Sequence, residues 1–102
     1  MTPDAVRALA LDLPDVVELP HHGFPSFRVG PKQRIFATMP TDEVLRLMLE
    51  PESIREAVAQ WPWCREGWWG KTLSTVEVVL ADADAAVVTE LLDEAHARAT
   101  GR

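Results

Sequence analysis

Apolar positions in this chain follow two periods, and the change from one to the other divides it into elements. Val6, Leu9, Ala10 and Leu13 recur at i, i+3, i+4 and i+7, the stripe of an amphipathic helix. Thr2 suits its N-cap and Pro3 its first turn, and Pro14 stops it. A second helix opens at Pro51, carries Ile54, Ala57, Val58 and Trp61 at helical spacing, and closes at Pro62. A third starts from Asp82 or Asp84 and turns Val88, Leu91, Leu92, Ala95 and Ala99 to one side. Arg98 and Arg102 complement the negative end of its dipole.

Between the first two helices the period falls to two, as in half-buried strands. Val16–Leu19 is a short strand entering the stretch His21-His22-Gly23-Phe24-Pro25-Ser26-Phe27-Arg28-Val29, where Phe27 and Val29 alternate with Ser26 and Arg28. Gly30-Pro31 punctuates a hairpin loop, and Arg34–Met39 returns as the next strand. Pro40-Thr41-Asp42 turns the chain into Val44–Leu49, with Leu45, Leu47 and Leu49 on one face. Thr75–Leu80 supplies a further strand, Val76, Val78 and Leu80 alternating with Glu77.

Two segments depart from both periods. Ile35-Phe36-Ala37 is apolar throughout, as expected of a central strand whose second face is partly covered. All four tryptophans lie within residues 61–71 (Trp61, Trp63, Trp68 and Trp69) beside Gly67 and Gly70, a segment expected to be a loop. Four exposed indoles would form a large apolar patch, so this loop is expected to fold back over the open side of the sheet. The order helix, meander, helix, strand, helix describes one two-layer α+β domain over residues 1–102, three helices on one face of an antiparallel sheet.

Composition narrows the setting. The chain has 102 residues, too few for two domains, and no run near the ~18 apolar residues of a membrane helix. A single cysteine, Cys64, and a start without a basic, apolar leader point to the cytoplasm. The net charge of −6 opposes a general attraction to DNA. The charge is unevenly placed, however: residues 21–40 hold Arg28, Lys32 and Arg34 and no acid. If any part meets an anion, it is this hairpin.

The same stretch carries a resemblance. His-His-Gly-x-Pro-Ser-Phe-Arg-Val at 21–29, then Lys32 and Ile-Phe-Ala-Thr at 35–38, resembles the signature of the MmcQ/YjbR family of small bacterial proteins. The first helix, Trp-Trp-Gly-Lys at 68–71 and Leu-Leu-x-x-Ala at 91–95 extend it over nearly the whole chain. Leu73-Ser74-Thr75 stands where many relatives have Gly-Trp. The resemblance implies an architecture similar to type III secretion chaperones and DNA binding through a double-wing motif. No chemistry is attached to the family.

Adjacent His21 and His22 point to opposite faces of a strand, His96 is distant and no cysteine pair assists, so no metal site is expected. Ser26 lies outside any Gly-x-Ser-x-Gly elbow, and Cys64 reads as an inert thiol among tryptophans. No catalytic residue and no cofactor are expected. The candidate binding set is His22, Arg28, Lys32, Arg34, Trp68, Trp69 and Lys71: guanidinium forks for phosphate and indole faces for bases. Arg28 leads it, because its side chain leaves by the face opposite Phe27 and Val29, with glycines at 23 and 70 leaving room near the backbone. The alternative is a protein- or small-anion-binding module using the same residues without nucleic acid.

Overall fold

Period-two alternation builds a six-stranded antiparallel sheet in the computed structural model, which describes residues 1–101. Arg102, and with it the dipole role expected of it, lies outside the described residues. The strands are β1 (Val16–His21), β2 (Phe24–Val29), β3 (Arg34–Thr41), β4 (Val44–Met48), β5 (Cys64–Trp69) and β6 (Thr72–Val79). Their order is β1-β2-β3-β4-β6-β5, so the first four form a meander and the last hairpin joins it through β6. The helices are α1 (Pro3–Leu11), α2 (Pro51–Gln60) and α3 (Ala85–Thr100).

The helix ends obey local chemistry. The Thr2 hydroxyl accepts the Ala5 N–H at 3.1 Å, and Asp84 accepts from Ala86 and Val87 at 2.9 and 3.1 Å, supplying partners to first-turn donors that the helix cannot satisfy itself. Of the two expected caps for α3, Asp84 is the one used; Asp82 ends a short 3-10 turn, Leu80–Asp82. Gly101 closes α3 at φ +81°, the left-handed position that glycine adopts without a Cβ penalty.

All three helices cover one sheet face. Val6 and Ala10 of α1, Ile54 and Ala57 of α2, and Val88, Leu91, Leu92 and Ala95 of α3 share one buried cluster with Phe27, Val29, Leu45, Leu47, Val76 and Val78. His96 of α3 joins them, its Nε2 2.8 Å from the Pro14 carbonyl oxygen and its ring edge-on to Phe36 at 5.5 Å. A buried imidazole is thereby given both a polar and an apolar partner.

Two expectations are corrected. Ile35-Phe36-Ala37 is apolar because β3 carries a bulge, not because a loop covers its second face. Phe27 pairs with Ala37 and Arg28 with Ile35, leaving Phe36 as an extra residue. A bulge sets neighbouring side chains on one side, so Phe36 and Ala37 both enter the helix-side core, each fully buried. The tryptophan segment, for its part, is neither a loop nor a lid. After a turn at Pro62-Trp63 it becomes edge strand β5, paired with β6. Trp61 and Trp63 stack at 5.7 Å against the core near the end of α2, while Trp68 and Trp69 stay 54% and 84% exposed. Strand β6 accordingly begins at Thr72 rather than Thr75, and Leu80 is buried just beyond its end.

The α3 stripe gives a direct test of this packing. Leu92→Ala removes a side chain only 1% exposed and should cost about 2–5 kcal/mol through lost burial plus a residual cavity. Urea unfolding of both proteins should show a lower midpoint with an unchanged slope.

Candidate functional site

The face without helices is furnished by the strands alone. Register places Leu19, Ser26, Thr38, Arg46, Glu77 and Arg65 in one cross-strand row from β1 to β5. The neighbouring row, Phe27, Ala37, Leu47 and Val76, faces the helices and is buried. A one-residue step along the strands thus separates an apolar face from one with hydroxyls, guanidinium groups and a carboxylate.

This polar face holds a cleft of about 220 Å³ lined by His21 and Phe24 on one side and Gly67, Trp68 and Trp69 on the other. Its floor is Thr38, Arg46, Met48, Ser74, Thr75 and Glu77. His21 and Phe24 flank the β1–β2 turn and Trp69 flanks the β5–β6 turn, so hairpins from opposite edges of the sheet bound one concavity. Sheet twist brings such diagonal corners toward each other.

Both hairpins follow turn chemistry. His22 and Gly23 have φ of +51° and +85°, the pair of positive values that a type I′ turn requires and that matches strand twist. Gly70 opens the other two-residue turn at φ +59°. Strand β6 also carries a bulge: Gly67 pairs with Thr75 and Trp68 with Leu73, so Ser74 is extra. Ser74 and Thr75 consequently both line the cleft, while Leu73 returns to the core. Gly67 lies against Thr75, where a Cβ would stand 2.0 Å from the Thr75 Oγ1. Only glycine lets the strands pair there without displacing the threonine.

The charged groups differ in how they are held. Arg46 Nε donates to Glu77 Oε2 at 2.8 Å, a half-exposed pair across β4 and β6. Arg28 Nε donates to Ser26 Oγ at 3.0 Å, and Ser26 Oγ donates in turn to the Leu19 carbonyl oxygen at 2.7 Å. The guanidinium is therefore oriented by a hydroxyl without being neutralised: no carboxylate pairs with Arg28 among the described residues. Its charge is felt at His21, whose pKa is lowered by burial first, then by His22 and Arg28. Burial alone pushes the Cys64 thiol up to about 11, so it stays protonated and unreactive near neutrality.

The candidate residues divide into two groups. Arg28 shares the helix-free face with Ser26, and His22 caps the hairpin beside His21, their rings 4.3 Å apart. Trp68 and Trp69 line the cleft, and Lys71 sits in the turn next to them. Lys32 and Arg34 lie instead in the β2–β3 turn and at the start of β3, lining a separate groove with Ala99, Thr100 and Gly101 at the end of α3. Sequence reasoning missed His21, Phe24, Thr38, Arg46, Met48, Ser74, Thr75 and Glu77. The available signal was Arg46 between Leu45 and Leu47, and Glu77 between Val76 and Val78: charged residues alternating with core ones.

The fold and this face define a class, two-layer α+β domains whose sheet is covered on one side and framed by two hairpins on the other. The family model for YjbR matches residues 11–98, and the chain belongs to the YjbR family. That family is not known as one of enzymes. Among solved structures, the crystal structure of the Deinococcus radiodurans protein DR2400, a DUF419 domain, superposes with a TM-score of 0.82 at 25% identity. The match covers 99% of this chain and 80% of that one. A comparison with curated proteins finds no match. No helix among the described residues is long and apolar enough to cross a membrane.

Two measurements probe the cleft. In an NMR titration the His21 ring should have its midpoint below the ordinary 6.5, and Arg28→Ala should move that midpoint upward by removing a neighbouring positive charge. Because the charged imidazole is the disfavoured form, stability linked to His21 is present above 6.5 and declines as pH falls through the lowered value. Gly67→Ala should cost about 1–3 kcal/mol by overpacking against Thr75, read as a lower thermal midpoint.

Proposed function

We propose that this protein is a non-enzymatic, cytoplasmic DNA-binding domain that engages DNA through the helix-free sheet face and its two flanking hairpins. The observation that carries this reading is the segregation of charge. The chain is acidic by six charges, yet the open face bears Arg28, Arg46 and Arg65 with Lys71 at its rim, against Glu77 alone. The helices on the opposite side of the molecule carry more acids than bases: α2 and α3 hold Glu52, Glu56, Glu90, Asp93 and Glu94 against Arg55 and Arg98. Such polarity orients a polyanion toward the sheet even where net charge does not attract it. Family membership supports the reading, since the resemblance of the hairpin motif implies a double-wing DNA-binding domain.

Within this proposal Arg28 grips phosphate through the N–H groups that Ser26 does not occupy. His22 and Lys71 contribute from the two turns, and Trp68 and Trp69 offer ring faces. Lys32 and Arg34 extend the positive surface along the flank beside α3. A second reading, a small anion or an acidic protein segment on the same face, is favoured by Arg28 itself, a single oriented guanidinium beside a cleft.

Fluorescence anisotropy against labelled DNA, single- and double-stranded, over a series of salt concentrations tests the two. DNA binding should weaken steeply with salt, and Arg28→Ala and Lys71→Ala should each reduce the slope by about one. Lys32→Ala and Arg34→Ala should change it less. Arg28→Lys should already weaken binding, because an ammonium cannot reproduce the planar fork. Absence of binding to either form of DNA at low salt would discard this function. A slope near one, abolished by Arg28→Ala alone, would favour the small anion.

A further inference from the structure

We infer that the cleft takes unpaired bases, so that the ligand of this face is single-stranded rather than duplex DNA. This inference rests on the DNA-binding reading and deepens it. Its first support is Trp69, an indole 84% exposed at the rim of a concavity, with Trp68 beside it at 54%. A duplex keeps its base faces stacked inside and offers nothing for an indole to stack on, whereas every base of a single strand has a free π-face. Exposing large apolar rings to water is unfavourable, and both lie on one hairpin beside a cationic face.

The cleft adds a second support. Its walls are aromatic, with Phe24 on one side, while its floor carries Met48, the hydroxyls of Thr38 and Thr75 and the Arg46–Glu77 pair. Hydroxyls and a guanidinium–carboxylate pair supply donors and acceptors side by side, as the edge of an unpaired base requires. In a duplex those edges are occupied by the complementary strand. The third support is the modest number of cations. A duplex presents a charge every ~1.7 Å of its axis and is held chiefly by phosphate contacts, which three arginines and one lysine on an acidic domain supply poorly. A single strand gains part of its affinity from stacking, which salt does not screen. In this arrangement the backbone passes Arg28 and Lys71 while a base enters between the His21–Phe24 wall and the indole of Trp69.

The test compares a labelled oligo-dT strand of about 12 nucleotides, within the span single-strand binders cover, with a duplex of equal length. Anisotropy is measured for wild type, Trp69→Ala and Trp69→Phe, and intrinsic fluorescence is followed on the same samples. The single strand should bind at least about tenfold tighter than the duplex and quench tryptophan emission. Trp69→Ala should weaken single-strand binding about 5- to 100-fold, Trp69→Phe should retain most of it, and unfolding midpoints should be unchanged because the ring is outside the core. Duplex bound as tightly as single strand, or indifference to Trp69→Ala, would overturn this inference while leaving the DNA-binding reading in place. Failure of both probes to bind at low salt would remove the two together.

Discussion

Helix α3 lies across the middle of the sheet, and its packing on β3 is the contact on which the remaining architecture depends. Val88, Leu92 and Ala95 bury their side chains fully or nearly so, together with Phe36 and Ala37. A regular strand would have turned one of those two β3 residues away from the helix; the bulge opposite Phe27 turns both toward it. The sheet therefore supplies its own core without needing a second cover, and its other face is free to be polar. Hydrophobic burial is one-sided here because bulges in the strands complete what alternation alone leaves unfinished.

That one-sidedness has a consequence for function. With helices confined to a single face, the acids they carry are held on the far side of the molecule from the polar row Ser26, Thr38, Arg46, Glu77 and Arg65. Charge segregation follows from layer architecture, so the net charge of the chain is a poor guide to what its sheet face attracts. Local detail then tunes the face. Ser26 is buried on this polar face, where its hydroxyl relays between Leu19 and Arg28 and so aims a guanidinium that no acid neutralises. The bulge at Ser74 performs on β6 what the one at Phe36 performs on β3, but for the opposite layer. It sets two hydroxyl residues beside the cleft and gives Leu73 to the core.

Much of this was legible along the chain. Helix stripes, the Thr2 cap, the hairpin at residues 21–29 and the expected exit of Arg28 from the face opposite Phe27 all follow from rules acting over three or four residues. The edge strand β5 was not legible. Its burial runs buried, exposed, exposed, buried along Cys64–Gly67. Glu66 pairs with the core residue Val76 yet remains exposed at the sheet edge, while Gly67 is buried on the polar face under Thr75. An edge strand half-covered by its partner cannot show the alternation that identifies a central one, and four indoles in sequence suggested a lid.

By itself, then, the sequence determined the three helices, the four strands of the meander and the face each regular strand presents, because steric preferences and hydrophobic periodicity act between near neighbours. Which residues meet across the sheet was decided only in three dimensions. Arg46 and Glu77 are 31 residues apart and touch because the β5–β6 hairpin joins the meander through β6, which pairs with β4. Lys32 and Arg34 share a charged hairpin with Arg28 in sequence but part from it in space, since Arg34 pairs with the core residue Val29 and lines a groove beside α3, while Arg28, one step along, leaves by the other face. Trp69 and His21, 48 positions apart, line one cleft because twist brings opposite corners of the sheet together. Register and twist are properties of the whole sheet, and no local pattern encodes them.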